Sequence, residues 1–405
     1  MIGGKLQGTE ATYLGGKAGY DVVLIDRRVG APASGLAAET HVFDICEDED
    51  RAHRLFMGCD AVLPACENDD TLIWLNERAA RWGVPLLFDL PSYSVSSSKL
   101  KSSRLFDQLG VARPAPWPAC GFPAIVKPSG SSGSEGVRLV FNDEQLAAAR
   151  VGLEGEGHEP VVEEFAPGPS LSLEVIAWLG VAQPLLATEL EFDSRFDCKR
   201  VLAPVEMPGA NELLVRFDEI GQRLALGLGL DGLMDLEVMV HAGALKVLEI
   251  DARLPSQTPT VVLHSCGLNM VALLAETVLG GQVPALDRRV RQGCCYQHVR
   301  VSGGALEVLG EHMMGSAGPL RLMSGLYGAD EVLTDRPEEA LGPTSREWVA
   351  TLITLAPTAA EARRRARDAL VQLADEHCLS LTPEPEESRD EAAGLIDSHV
   401  SGSVA

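Results

Sequence analysis

The chain has 405 residues, with 58 acidic against 34 basic side chains and a formal charge of −24 when histidine is neutral. That excess excludes nucleic acid as a main partner, because gripping a phosphate backbone needs a basic surface. An apolar share of 46% with 23% charged residues is ordinary for a folded protein, and the length suits two or three domains.

Nine cysteines form no CxxC, and nine histidines form neither HExxH nor a zinc-like spacing. Scattered cysteines suit a reducing compartment. No apolar run reaches the length of about 18 residues that a membrane span needs, and no signal peptide leads the chain. The expectation is a cytoplasmic protein away from membranes, with a homodimer left open.

In chain order, GGKLQG is followed by a helix over 9–18, a turn at Gly19-Tyr20-Asp21, and the buried strand VVLID ending at Asp26. HVFDI at 41–45, DAVLP at 60–64 and VPLLFD at 84–89 read as short strands, alternating with helices in the fifties and over 69–82. That alternation predicts a parallel βαβ unit over 1–90. Only Met1 and Ile2 precede Gly3. The strand that normally feeds such a turn is therefore either absent or upstream of the first residue.

A different texture follows. Residues 91–160 hold helices, the proline-rich RPAPWPACGFP, the strand PAIVKPS, the loop SGSSGSEG, the strand VRLVF and a helix near 143–151. Over 161–380, PVVEEFAP, SLSLEVIAWL and PLLATELEF read as antiparallel strands, and NELLVRFDEIGQRLALGLGL as a long amphipathic helix. LMDLEVMV and ALKVLEID flank a turn at Ala242-Gly243; beyond about 293 a further small unit and a helix over 359–378 are expected. Residues 381–405 carry acids, prolines and small residues, the composition of a disordered tail.

Three constellations carry chemistry. GGKLQG with Asp26 resembles a dinucleotide turn, but glycines at 3, 4 and 8 do not spell GxGxxG; a turn for close backbone passage explains them equally. In IVKPSGSSGSEG, Lys127 offers a point charge and Ser129, Ser131, Ser132 and Ser134 offer hydroxyls to a polyphosphate. The lysine precedes the glycines, so this is no Walker A loop, and a surface hairpin is the plain alternative.

The third lies on the two acidic strands. A turn at Ala242-Gly243 brings Glu237 and Glu249 together, with Asp251 on the same face. Clustered carboxylates are costly to bury without a cation, and magnesium prefers oxygen ligands it can share with nucleotide phosphates. Arg253 would steady a phosphoryl or carboxylate group. The plain alternative is a surface salt-bridge network.

Lysine and glycine loop, an acidic-aromatic hinge, then two acids on paired strands resemble the ATP-grasp core. The resemblance spans about 90–300 and implies an α/β plus α+β, ATP-grasp fold behind an N-terminal βαβ domain. It also implies ATP and Mg²⁺ as cofactors. It places ATP against Lys99, Lys127, Ser129, Ser131, Ser132 and the hinge Glu163, Glu164, Phe165 and Ala166, and metal on Glu237, Glu249 and Asp251. Asp251 stands where asparagine is commonest in the superfamily.

GGKLQGTEATYL, HVFDI, FDCKRVLAPV, EIDARLPSQTPTVV and CYQHV narrow the resemblance to the pyrrolysine-biosynthesis ligase (PylC) family. It implies joining of (3R)-3-methyl-D-ornithine to the ε-amine of L-lysine through an acyl phosphate. Arg253 and Lys127 would act in catalysis. Lys5, Leu6, Glu67, Asn68, Glu189, Asp197, Asp251, Arg253, Ser256, Gln257 and Thr258 would meet the amino acids, with Glu67 expected on lysine and Glu189 on the ornithine-like substrate. Asp26, Asp44 and Ile45 would offer a nucleotide contact in the N-terminal domain. Another ATP-grasp carboxylate–amine ligase and a non-catalytic nucleotide-binding regulator are the alternatives.

Overall fold

A computed structural model of the chain describes residues 1–131, 133–337 and 347–383. Ser132 and residues 384–405, hence nearly all of the expected tail, lie outside the described residues. Helix α1 (Leu6–Lys17) starts straight after the glycine turn and leads to the parallel pair β1 (Val23–Asp26) and β2 (Glu39–Val42). Gly8 lies so close to the turn that a Cβ there would sit 2.2 Å from the Gly3 carbonyl oxygen. Helices α2 (Glu49–Phe56) and α3 (Asp69–Trp82) are capped by Asp48 and Asn68, whose side chains accept from Arg51 N–H and Thr71 N–H.

The rest of this sheet is thinner than the sequence suggests. The expected strands at 60–64 and 84–89 are reduced to a bridge between Val62 and Leu86. Pro64 and Pro85 within them donate no backbone hydrogen bond, which limits the ladder. HVFDI leaves the strand at Val42 and turns at Asp44. The first strand is a single residue, Ile2, which bridges both Ile25 and Pro64.

Helices α4 (Leu90–Ser96) and α5 (Lys99–Leu109) lead to a three-stranded antiparallel sheet of β3 (Ala124–Pro128), β4 (Arg138–Val140) and β5 (Pro160–Glu164). Helix α6 (Asp143–Gly155) packs Leu146, Ala149 and Leu153 onto it.

Eleven strands build the large sheet among the described residues. It includes β6 (Ser170–Trp178), β7 (Val181–Phe192), β8 (Cys198–Ala203), β9 (Gly232–His241) and β10 (Ala244–Asp251), with α7 (Ala210–Leu228) between β8 and β9. Helices α8 (Thr258–Cys266) and α9 (Met270–Gly280) precede β11 (Gly293–Ser302), which pairs with β8. Thus the region beyond 293, expected as a further unit, continues the same sheet. It goes on through β12 (Ala305–Val308), β13 (Arg321–Ser324), β14 (Glu331–Thr334), β15 (Trp348–Ala356), helix α10 (Ala359–His377) and β16 (Ser380–Leu381).

The period of two sorts β6 by face. Leu171, Leu173 and Val175 pack toward Phe217 and Leu224 of α7, whereas Ile176 joins the core of α8 and α9. Ser172 and Glu174, on the second face, are buried polar groups. Among the described residues no single helix is long and apolar enough to cross a membrane. Helices α8 and α9 pass together by length and composition, but they are bent by 91° and supply core side chains.

Two expectations test this packing. Helix propensity alone favours alanine over glycine at Gly8 by about 1 kcal/mol. The clash with the Gly3 carbonyl reverses the sign, so Gly8→Ala lowers the unfolding temperature. Burial raises the Glu174 carboxyl to about 7 from 4.5. Below about pH 4.5 both states hold the proton; between there and about 7 the unfolded chain ionises first, so stability falls as pH rises, by roughly 1.4 kcal/mol per unit. Glu174→Gln removes that slope. Denaturant titrations at about pH 5 and pH 7.5 should show the variant gaining on the parent at the higher pH.

Candidate active site

The hairpin of β9 and β10 sets Glu249 opposite Glu237 and Asp251 opposite Asp235 in the ladder. Its turn residues Ala242 and Gly243 both have positive φ, 50° and 77°, which lets two residues reverse the chain. A register shift between Val247 and Glu249 turns Leu248 and Glu249 toward neighbouring cavities.

Two cavities share this wall. A polar cleft of about 410 Å³ is lined by Glu67, Tyr93, Asp197, all four hairpin acids, Arg253, Ser256, Gln257, Thr258 and Glu311. Beside it lies an apolar slot of about 430 Å³, with Ile125, Phe165, Ala166, Met239 and Leu248 on its walls. Lys99, Ser131, Ser134, Glu237 and Glu249 line both.

The cations are placed at the seam. Lys99 Nζ lies 3.0 Å from Glu249 and donates to the Ser131 carbonyl at 2.5 Å, tying the glycine loop to the acidic strand. Lys127, in the slot, pairs with Glu163 at 2.5 Å. Arg253 lies 2.6 Å from Asp251 and 2.9 Å from Glu67, and Gln7 of α1 donates to Glu67 at 2.9 Å.

Crowding shapes the titration of these groups. Burial first, then the facing Glu249, raises Glu237 to about 8. Burial also raises Glu249, yet Lys99 and Lys127 outweigh it and hold that carboxyl below its usual value. Asp251 rises to about 6 through burial against the pull of Arg253, and Asp235 rises well above the carboxylate range through burial and Asp251. Burial raises Glu311 too, although Ser256 Oγ donates to it at 2.6 Å.

This donor set fits a magnesium-nucleotide. Among the described residues no three acid, histidine or cysteine groups cage an ion unaided. Magnesium needs no such cage, since one or two carboxylates plus phosphates suffice. The facing Glu237 and Glu249 have the donor chemistry for such a pair, and a cation between them would offset the burial and repulsion that raise Glu237. Asp251, expected as a third ligand, lines the same cleft and pairs with Arg253.

The substrate-facing turn has an unusual backbone. Gln257 has φ 67° and ψ −59°, and Thr258 N–H donates to the Ser256 carbonyl at 2.8 Å. That is a γ-turn of the strained kind, costing on the order of 1–3 kcal/mol.

Several expected residues are placed elsewhere. Glu189 does not line the cleft: its neighbours Leu190 and Phe192 do, and strand alternation turns Glu189 to the other face. Ser129 lies against the start of α5, near Ser98 Oγ and Leu100 N–H, and lines neither cavity. Glu164 lines the slot, while its carboxylate binds Lys246 at 2.6 Å and Ala115 N–H at 3.0 Å. Asp197 lines the cleft but holds His312 at 2.9 Å.

Lys5, Leu6, Asp26, Asp44, Ile45 and Asn68 meet around a third cavity of about 620 Å³, which reaches Glu67. Asp26 is committed to the turn, accepting from Gly4 N–H and Arg28 N–H, each at 2.6 Å. Sequence reasoning missed Asp235, Glu311 and Tyr93. Asp235 carried a usable signal, the alternation two residues before Glu237; Glu311 and Tyr93 carried none.

An ATP-grasp domain model matches residues 96–257. The 3-methyl-D-ornithine–L-lysine ligase of Methanosarcina barkeri (strain Fusaro) is 36% identical over 317 residues, covering 78% of this chain and 83% of that protein. Among solved structures, the biotin carboxylase domain of Hydrogenobacter thermophilus 2-oxoglutarate carboxylase, with MgADP and bicarbonate, superposes with TM-score 0.70 at 16% identity. That match covers 91% of this chain and 88% of the other. N5-carboxyaminoimidazole ribonucleotide synthetase from Thermus thermophilus does so with TM-score 0.66 at 20% identity, over 95% and 99%. These structures share the fold. With the hairpin acids, the seam lysines and this identity across most of its length, the chain belongs to the 3-methyl-D-ornithine–L-lysine ligase family of ATP-grasp enzymes.

Proposed function

We propose that the protein joins the carboxylate of (3R)-3-methyl-D-ornithine to the ε-amine of L-lysine, with ATP converted to ADP and phosphate. The observation that carries this reading is the seam where Lys99, Glu237 and Glu249 stand between the apolar slot and the polar cleft. The segments expected at 1–90, 91–160 and 161–380 would act as three units around that seam, with the second boundary moved past β5 (Pro160–Glu164), which completes the sheet of β3 and β4.

The chemistry follows from what a carboxylate lacks. It is a poor electrophile, so its oxygen first takes the terminal phosphoryl of ATP, giving an acyl phosphate and ADP. The lysine amine then attacks the acyl carbon, the C–O bond to phosphate breaks, the amide forms and the nitrogen loses a proton. The adenine would occupy the slot between Phe165, Ala166, Met239 and Leu248, with the phosphates leading past Lys127 toward the seam. Magnesium, held by Glu237 and Glu249, would neutralise phosphate charge. Arg253, fixed by Asp251 and Glu67, would face the carboxylate or the transferred phosphoryl.

Both amino acids bring ammonium groups, and the cleft has surplus carboxylates to meet them. Asp235 and Glu311 are the candidates for the ornithine-like amines, in place of Glu189; Glu67, at the border with the N-terminal cavity, is the candidate for lysine. A closed glycine loop would keep water from the acyl phosphate.

Incubation with ATP, Mg²⁺, L-lysine and 3-methyl-D-ornithine should give ADP and a product of the two masses less one water. ATP turnover without that product would overturn the substrate assignment. Glu249→Gln should cut turnover at least 100-fold, about 2.7 kcal/mol in the barrier, with unchanged secondary structure. Activity within threefold of the parent at saturating Mg²⁺ would remove Glu249 from the site. Glu311→Gln should raise the KM for methylornithine sharply, since an unpaired buried ammonium costs about 2–5 kcal/mol, while the KM for ATP stays put.

A further inference from the structure

Glu10 lies in the middle of α1, far in sequence from any group in the proposed reaction, and is only 2% exposed. Its carboxylate accepts the backbone N–H of Thr260, in the first turn of α8, at 2.6 Å. Burial raises this carboxyl to about 7, and the backbone N–H groups of Thr260 and Gln257 pull the other way by favouring its charged form. Burying a carboxylate is costly unless donors meet it.

Such donors lie at the start of α8. Thr258 N–H is used by the turn, Pro259 has none, and Val261 N–H reaches the Gln257 carbonyl at 3.4 Å. Gln257, in the capping position, makes no side-chain cap, and its amide nitrogen donates to the Cys198 carbonyl. The remaining donor, Thr260 N–H, is met by Glu10 from another element, and a negative charge there also suits the helix dipole. On the other side of the same turn, Ser256 donates to Glu311 at 2.6 Å. Glu311 thus holds the Ser256 side chain and Glu10 the backbone at the start of α8, on either side of the strained Gln257, and Ser256, Gln257 and Thr258 line the cleft.

We propose that Glu10 is a positioning residue that holds the Ser256-Gln257-Thr258 turn in its substrate-facing shape, linking the N-terminal unit to the amino-acid pocket. The inference rests on the ligase reading of the cleft for its kinetic consequence, though not for its geometry. Glu10 does not touch substrate; it sets where Ser256, Gln257 and Thr258 stand.

Glu10→Gln keeps the shape but turns one acceptor into a donor facing N–H groups. The KM for methylornithine should rise at least tenfold, with the KM for ATP within twofold of the parent. Amide exchange over 256–261 should quicken in the unliganded variant, and more than in the rest of the chain. Glu10→Asp, with the charge kept but drawn back, should show the same pattern more weakly and serves where Glu10→Gln does not fold. An active parent with both KM values unchanged in the variant, or an equal rise in both with exchange over 256–261 unaltered, overturns the proposal. An inactive parent would sink the ligase reading instead, and the exchange measurement would still decide the role of Glu10.

Discussion

Two facing pairs of carboxylates, Glu237 with Glu249 and Asp235 with Asp251, impose the constraint around which the molecule is arranged. Four acids at the end of one hairpin repel one another, and burial removes the water that would screen them. The neighbouring elements answer with charge. Lys99 at the start of α5 meets Glu249, and Arg253, just past the hairpin, meets Asp251. Among the described residues no cation forms a salt bridge with Glu237 or Asp235, and burial raises both carboxyls, Glu237 to about 8 and Asp235 well above its usual range. Facing buried carboxylates with too few cations are an arrangement that a divalent cation would balance.

The same arrangement separates two chemical environments on one wall. Toward β3 and β5 the wall turns apolar, suited to a flat ring; toward α8 it turns acidic, suited to ammonium groups. The bulge at Leu248 serves this division, since it places an apolar residue and a carboxylate next to each other along the seam. Helix α1 extends the logic to the N-terminal unit. One face carries Gln7 to Glu67 and, through it, to Arg253, while Glu10 reaches the start of α8. Tyr13, a turn further on, hydrogen-bonds both His264 of α8 and Glu331 of β14. The N-terminal unit is therefore built into the pocket.

Much of this was legible in the sequence because it depends on local rules. Strand alternation puts Glu237, Glu249 and Asp251 within reach of one another, and a two-residue turn at Ala242-Gly243 sets their register. Lys127 ahead of a glycine-serine loop and the hinge after Glu163, singled out through the ATP-grasp resemblance, meet at one apolar slot. The same rules could have found Asp235, which shares the face of Glu237 two residues earlier. They misled at 60–64 and 84–89, where apolar runs read as strands but hold prolines that cannot donate to a ladder.

What the sequence by itself determined, then, is the hairpin acids and the lysine-led loop, set by spacing along one strand or one turn, and the family, through the resemblance of motifs spread along the chain. Only the tertiary structure decided which acids belong to the pocket. Glu189 and Glu311 are alike as isolated residues, but one sits on a strand face turned away and the other arrives on a short turn from a remote part of the chain. Asp26 borders the N-terminal cavity while accepting from two backbone N–H groups, and Ser129 lies against the start of α5, neither of which sequence order shows. The physical reason is common to these cases: a polar side chain serves a ligand only if the fold leaves its atoms pointing into a cavity, and that direction depends on packing between elements far apart in the chain.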